Sequence, residues 1–188
     1  EINRFNPAGE TLNIIAKDEF GNTSSKTVVI SLVKQEDQMQ SYASLDPMRI
    51  KKSNNRNRVA LIIGIEDYKF SSKANYANRD ALYFTEYLQQ MGLRRDKIKT
   101  LKDSDAGLID IYSAIEKWLP AQIIPGKTEV FLYFAGHGLA ANNGKDLFPL
   151  AHDTDTDMLN RSSIARSELF ELINSAHPKH TFVFLDTC

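Results

Sequence analysis

Residues 130–138 read VFLYFAGHG, an apolar run that ends in a glycine–histidine–glycine turn. Two other stretches have the same apolar character, VALIIGI over 59–65 and TFVFL over 181–185. Continuous apolar runs of this length are typical of strands that are buried on both faces of a parallel sheet. Parallel strands place their carboxyl ends at one edge of the sheet, where α/β proteins carry their chemistry. The residues that follow each run are therefore the first candidates for a functional site.

Helical segments alternate with these apolar runs. The first helix, predicted over 78–91, is followed by Gly92, a C-terminal stop signal. The second is predicted to begin with Asp105 as its cap and to end before Pro120. Strands that alternate with helices predict an α/β domain with a mostly parallel sheet flanked by helices. The predicted helices cover 78–91, 105–119 and 167–175, and a further short strand covers 97–101.

The amino-terminal part of the chain has a different pattern. Two β-rich runs, 11–16 and 26–33, flank a turn at 18–22, so residues 1–34 are predicted to contain a β-hairpin. The run GETLNIIA with the following turn and KTVVI resembles the last two strands of a bacterial immunoglobulin-like domain. Residues 35–57 are polar and have no apolar period, which predicts a linker before a main domain at 58–188.

The composition restricts the class of protein. The chain is 42% hydrophobic and 25% charged, which is typical of a globular protein, and it has no apolar run near the roughly 18 residues that span a bilayer. A formal net charge of −1 provides no electrostatic basis for binding nucleic acid. A single cysteine excludes an internal disulfide and a multi-cysteine zinc site.

His137 and that single cysteine, Cys188, directly follow predicted strands. Taken separately, each residue is more often structural than catalytic. Together, at one edge of a parallel sheet, they provide the thiol and the imidazole that form a thiolate–imidazolium pair. The backbone N–H groups of Gly138 and Cys188 are then candidates for an oxyanion hole.

The motifs around these two residues are specific as a set. YFAGHG (133–138) and FVFLDTC (182–188) resemble the histidine and cysteine boxes of the caspase-like cysteine peptidases of clan CD, particularly the bacterial metacaspase type. Their separation is close to the roughly 50 residues found in caspases. The resemblance implies a caspase-like fold and a cysteine endopeptidase that works through a Cys–His dyad and an acyl-enzyme, with no required cofactor.

Two carboxylates bear on specificity. Asp186 and Cys188 are two residues apart on a strand and should face the same cleft, and Asp80 lies at the start of a predicted helix. In metacaspases, acids at the matching positions line the S1 pocket, so the resemblance implies cleavage after Arg or Lys in a protein or peptide substrate. For Asp80 the alternative is an acid favoured by the helix macrodipole.

The polar linker carries several basic residues. Lys52, Arg56 and Arg58, together with Lys51, are candidates for self-processing by an Arg- or Lys-specific zymogen. A solvated linker is the alternative.

An acidic group follows His137 in the sequence. Asp153, Asp155 and Asp157, with Asp146 nearby, are weak calcium candidates, because some metacaspases use acids in this region. Their order does not match an EF-hand, and a solvated acidic loop is the alternative.

Other interpretations stay open at this point. The chain is alternatively an inactive caspase-like interaction module, or a receiver- or flavodoxin-like domain in which Asp186 works with Glu66 and Asp67. The family resemblance also implies further sheet strands after Cys188, provided by a C-terminal segment or a second chain. The immunoglobulin-like segment favours a periplasmic or extracellular location.

Overall fold

The computed structural model describes residues 10–30, 51–53, 55–141 and 144–187, and the chain divides into two compact units, residues 1–45 and 46–188. In the first unit, strands β1 (Glu10–Lys17) and β2 (Thr23–Ile30) form an antiparallel hairpin. The Asp18 carboxylate closes its turn by accepting the backbone N–H groups of Phe20 and Asn22 at 3.0 and 2.8 Å. The predicted hairpin is confirmed; its origin in an immunoglobulin-like domain stays a prediction, and residues 31–33 lie outside the described residues.

The second unit alternates strands with helices, as the sequence predicts. Short 3₁₀ turns also occur at Arg95–Lys97, Asp103–Ala106, Pro120–Gln122 and Thr156–Met158. The elements in chain order are β3 (Arg58–Gly64), α1 (Ala77–Gln90), β4 (Ile98–Lys102), α2 (Leu108–Ser113, continued by a π-helical turn Ala114–Trp118), β5 (Glu129–Gly136), β6 (Gly138–Ala140), β7 (Leu147–Pro149), α3 (Leu159–Ser162), α4 (Arg166–Ser175) and β8 (His180–Thr187).

Four of these strands form one parallel sheet in the order β4-β3-β5-β8. Strands β6 and β7 form a small antiparallel pair directly after His137. The sheet is flanked by helices, so the predicted α/β architecture with a mostly parallel sheet is confirmed. Among the described residues no helix has the length and apolar character needed to cross a membrane.

The core lies on both faces of the sheet because successive side chains of a strand point to opposite faces. On one face, β3 and β5 pack against α1, with Ile62, Tyr133 and Ala81 all buried. On the other face, Leu132 packs with residues of α2, its π-helical extension and α4. Large side chains buried there to 2% exposure or less include Leu61, Ile63, Ile115, Leu132 and Ile173.

Strand β8 differs from its prediction. Residues 181–185 were expected to be buried on both faces, but Phe182 and Phe184 are 41% and 43% exposed. The reason is that β8 lies at the edge of the described sheet, and α1 packs on β3 and β5 instead. Among the described strands, β8 therefore has β5 as its single neighbour.

The start of α2 also differs from its prediction. Asp105 lies in the 3₁₀ turn before the helix, and the N-cap position is held by Gly107. The first free amide of the helix, that of Leu108, is instead bound by the Asp153 carboxylate at 2.8 Å. A residue 45 positions along the chain therefore caps this helix, which local sequence patterns do not reveal.

Candidate active site

His137 follows β5 at once and its imidazole has a defined set of partners. Nε2 lies 2.9 Å from the carbonyl oxygen of Ser72, and the His137 backbone N–H donates to the Tyr68 hydroxyl oxygen at 2.8 Å. The Tyr68 ring also lies 4.9 Å from the imidazole, centroid to centroid. A carbonyl can only accept, so Nε2 carries the proton and Nδ1 is left as the basic nitrogen. The histidine is thus oriented to take a proton through Nδ1.

The two glycines beside His137 permit close packing. Gly136 has a φ of 154°, and a Cβ on it would overlap the Tyr68 hydroxyl. A Cβ on Gly138 would come within 3.0 Å of the Thr187 side chain. Neighbouring protein atoms therefore require glycine at 136 and leave a side chain at 138 little room, in addition to any room that a substrate needs.

Strand register aligns the residues that precede the two predicted catalytic positions. Gly136, directly before His137, pairs with Thr187, and Ala135 pairs with Asp186. Cys188 itself lies outside the described residues. The register therefore aligns the residues that precede His137 and Cys188, at the carboxyl end of both strands.

A cleft of about 300 Å³ opens at this edge. It combines His137 with both predicted specificity acids, Asp80 from the first turn of α1 and Asp186 from β8. Its other lining residues are Lys73, Ala74, Asn75, Ala77, Ala135, Gly136 and Thr187. Three residues that are far apart in the sequence thus share one cavity.

Tyr133 lies beside the acids of this cleft. Its hydroxyl donates to Asp186 Oδ2 at 3.3 Å, and its ring stacks on Phe84 at 4.3 Å between centroids. Burial, followed by the charges of Asp186 and Asp80, raises the pKa of Tyr133. The hydroxyl therefore keeps its proton and acts as a donor towards Asp186.

Asp80 also forms an ion pair with a cationic side chain. Its carboxylate lies 3.4 Å from the Arg79 guanidinium, which in turn packs 4.3 Å from the centre of the Tyr76 ring. Both partners of this ion pair are well exposed, so the pair contributes little to stability. The position of Asp80 in the first turn also suits the helix macrodipole, as the alternative interpretation holds.

The predicted calcium candidates are used in local structure. Asp153 caps α2, and Asp155 accepts the backbone N–H of Asp157 at 3.0 Å. Asp146 binds the Ser167 hydroxyl and lies 3.5 Å from Arg166 Nε. In the part of the chain that the structure describes, no group of three or more His, Cys, Asp or Glu side chains could hold a metal ion. Calcium binding stays a prediction.

The candidates for self-processing lie in different environments. Lys51, Lys52 and Arg56 are exposed. Arg58 begins β3, and its Nε pairs with Glu129 Oε2 at 2.8 Å, with both side chains 15% exposed. The bond after Arg58 lies inside a buried strand, so Arg58 does not suit a processing site.

Sequence reasoning found no group that orients the His137 imidazole, and the structure provides one in the Ser72 carbonyl. A backbone carbonyl has no residue-type signature, so no motif could reveal it. Tyr68 was also missed. Burial outweighs the lowering by the His137 N–H and raises the pKa of Tyr68 to about 12, with a smaller rise from Asp103, so its hydroxyl stays neutral beside His137.

Comparisons with known proteins bear on the family and the fold of the chain. A family model described as "Caspase domain" matches residues 57–188. The crystal structure of protein GSU0716 from Geobacter sulfurreducens is similar, with a TM-score of 0.55 at 19% identity. The match covers 70% of this chain and 50% of that protein, so this chain spans about half of its length, and the likeness shows the fold alone. A search of the curated proteins found no significant match.

Proposed function

The chain belongs to the caspase-domain family, and on that basis we propose that it is a cysteine endopeptidase that cleaves after Arg or Lys. The register of β5 and β8 carries the proposal: Gly136 pairs with Thr187, and His137 and Cys188 are the residues that follow these two in the sequence. Paired strands lie about 4.8 Å apart. This proximity supports an imidazole and a thiol that work as a pair.

The proposed reaction proceeds through an acyl-enzyme. Cys188 transfers its proton to His137 Nδ1, and the thiolate attacks the scissile carbonyl carbon. The C–N bond breaks as the imidazolium protonates the leaving amine, and a water molecule deprotonated by His137 then hydrolyses the thioester. The Ser72 carbonyl keeps the imidazole oriented throughout. The N–H groups of Gly138 and Cys188 are the proposed donors to the oxyanion.

The cleft supports a basic P1 residue. Asp80 and Asp186 both line it, and carboxylates make strong charge-assisted hydrogen bonds to a guanidinium or an ammonium. The proposed substrates are therefore proteins or peptides with exposed Arg or Lys. The exposed edge of β8 supports the further proposal that a C-terminal segment or a second chain extends the sheet.

Fluorogenic peptides with Arg, Lys or Asp at P1 test the proposal, each with and without calcium. We expect turnover of the Arg and Lys peptides, and a loss of about 10²–10⁴-fold in the Cys188→Ala and His137→Ala variants. Asp80→Asn and Asp186→Asn should each lower kcat/KM for the Arg peptide by about 10- to 100-fold, because each removes a charge-assisted hydrogen bond. Asp96→Asn is a matched control, since Asp96 pairs only with the exposed Arg94 among the described ion pairs.

Other outcomes separate the alternatives. Turnover that survives Cys188→Ala, or a preference for Asp at P1, would contradict the proposal. A folded chain without turnover on any peptide would support the inactive interaction module. The receiver- or flavodoxin-like alternative is wrong, because the matching family is that of caspase domains.

A further inference from the structure

We propose that Asp103 is a positioning residue for His137, acting through the segment 65–76 that connects β3 to α1. Asp103 follows β4, and its carboxylate joins this segment and the first turn of α1 to the end of the neighbouring strand. The catalytic part of this inference rests on the proposed function, whereas the effect on the imidazole does not.

The Asp103 carboxylate accepts three hydrogen bonds. Oδ1 receives the backbone N–H groups of Glu66 and Asp67, both at 2.9 Å, and Oδ2 receives the Asn78 side-chain amide at 2.7 Å. Burial acts to raise the pKa of Asp103, but the hydrogen bonds from Asp67, Glu66 and Asn78, together with a smaller effect from His152, outweigh it and lower the pKa. Asp103 is therefore a charged acceptor at neutral pH, and bonds to a charged acceptor are stronger than neutral ones.

The segment that Asp103 holds carries both partners of His137. Tyr68 accepts the His137 backbone N–H, and the Ser72 carbonyl accepts the Nε2 proton. The two backbone N–H groups that Asp103 accepts, those of Glu66 and Asp67, lie two residues and one residue before Tyr68. The bond to Asn78 fixes α1 two residues before Asp80, which lines the cleft. One side chain thus anchors both the segment that binds His137 and the helix that carries Asp80.

His152 ties the same segment at another point. Its Nδ1 lies 2.7 Å from the Asp67 carbonyl oxygen, and its own carbonyl accepts the Lys69 backbone N–H at 2.9 Å. These bonds hold the middle of the segment, whereas Asp103 holds the two amides at its start. Loss of Asp103 should therefore loosen the segment without releasing it completely.

The backbone of Asp103 suggests the variants to compare. Its φ is 43°, a left-handed conformation that Asn and Gly tolerate better than other residues. Asp103→Gly suits the backbone but removes the acceptor. Asp103→Asn suits the backbone and retains Oδ1 for the two amides. Its new NH₂ group can be accommodated if Asn78 turns its amide by 180°, because Asn78 Oδ1 is buried without a hydrogen-bond partner among the described residues.

Two measurements on the full chain test the proposal. The first is kcat and KM on the Arg peptide, and the second is ¹⁵N NMR of the histidine side chains without substrate, assigned with the His137→Ala variant. We expect Asp103→Gly to lower kcat by about 10- to 100-fold with KM within about 3-fold, since displaced supporting groups have effects of this size. We also expect its His137 ring to lose the uniform Nε2–H tautomer of the parent chain. Asp103→Asn should stay within about 5-fold of the parent kcat and keep the tautomer.

An unchanged tautomer and kcat in Asp103→Gly would overturn the proposal, as would an Asp103→Asn variant that is as impaired as Asp103→Gly. Thermal unfolding identifies variants that fail to fold. If Asp103→Gly does not fold, Asp103→Ser, whose single hydroxyl cannot bridge the three donors, gives the same comparison. A parent chain without turnover would refute the proposed function. In that case, a tautomer change in Asp103→Gly would still support the positioning role.

Discussion

Two of the groups that hold His137 come from a distant part of the sequence. Ser72 contributes a backbone carbonyl, and Tyr68 contributes a hydroxyl oxygen to a backbone N–H. Gly136 is required because any Cβ there would overlap the Tyr68 hydroxyl. The histidine motif thus extends to a segment about 65 residues earlier in the chain.

Removal of the Tyr133 hydroxyl should alter substrate binding without changing His137 or Cys188. Tyr133→Phe deletes the hydroxyl that donates to Asp186 Oδ2. The carboxylate then loses an orienting donor, so KM for an Arg peptide should rise by about 3- to 10-fold, with kcat nearly unchanged. Steady-state kinetics measures both quantities.

Tyr112→Phe is the matched control for this prediction. Tyr112 donates its hydroxyl to Glu168 at 2.8 Å, and neither residue lines the cleft. Equal effects of the two substitutions, or a fall in kcat alone for Tyr133→Phe, would contradict a role for the hydroxyl in the S1 pocket.

At the scale of elements, the segment before β3 is attached to the second unit earlier than predicted. The Ser53 backbone N–H donates to the Met91 carbonyl at 3.0 Å, and the Asn57 carbonyl accepts the Glu129 N–H at 2.9 Å. A linker over 35–57 was predicted, but residues 53 and 57 are hydrogen-bonded to the α1 end and to β5. Among the described basic residues of the linker, only Lys51 and Lys52 precede both of these hydrogen-bonded residues.

Self-processing should therefore occur after Lys51 or Lys52 and not after Arg58. Cleavage requires an extended, accessible segment, and Arg58 is paired with Glu129 at the start of a buried strand. Intact-mass spectrometry of the purified wild type should show a new amino terminus at Lys52 or Ser53 that is missing from Cys188→Ala. Identical termini in the two proteins would exclude self-processing, and a cut after Arg58 would contradict the structural argument.

At the scale of the whole molecule, strand order alone does not distinguish this fold from its rival. The order β4-β3-β5-β8 is the same as the 2-1-3-4 order of flavodoxin-like sheets. The strand order reverses direction between β3 and β5, and the cleft lies there, lined by residues that follow β3 and by the carboxyl ends of β5 and β8. The family match, rather than the topology, identifies a caspase domain.

The second unit should lose stability in acid. The Arg58 side chain outweighs burial and lowers the pKa of Glu129, and Asp103 also has a lowered pKa. A carboxylate whose pKa is lower when folded stabilises the protein above its ordinary pKa, and this contribution is lost as the pH falls through the folded value. The free energy of unfolding should therefore fall as the pH drops below about 4.

Urea denaturation of wild type and Glu129→Gln at pH 7, 5 and 3 checks this expectation. The variant should be less stable at pH 7, because Arg58 loses its charged partner, and the difference should shrink towards pH 3. A difference that is the same at every pH would show that Glu129 stabilises the fold by packing and not by charge.

The sequence by itself determined the local features of this protein. The apolar runs at 59–65 and 130–134 predicted buried strands, and the GHG turn with Cys188 indicated the histidine and cysteine boxes. These features were predictable because strand and helix periodicity, turn residues and motif spacing depend on neighbours along the chain. The S1 role of Asp80 and Asp186 was predicted from the family resemblance and not from these local patterns.

Only the tertiary structure decided which distant groups meet. It brought the Ser72 carbonyl and Tyr68 to His137. It placed the Asp153 carboxylate at the start of α2, where Asp105 was predicted as the cap. It also left Phe182 and Phe184 of β8 exposed. These contacts depend on strand order and register, which bring together residues separated by tens of positions. No local pattern encodes them, because a backbone carbonyl or a capping carboxylate acts through its place in space.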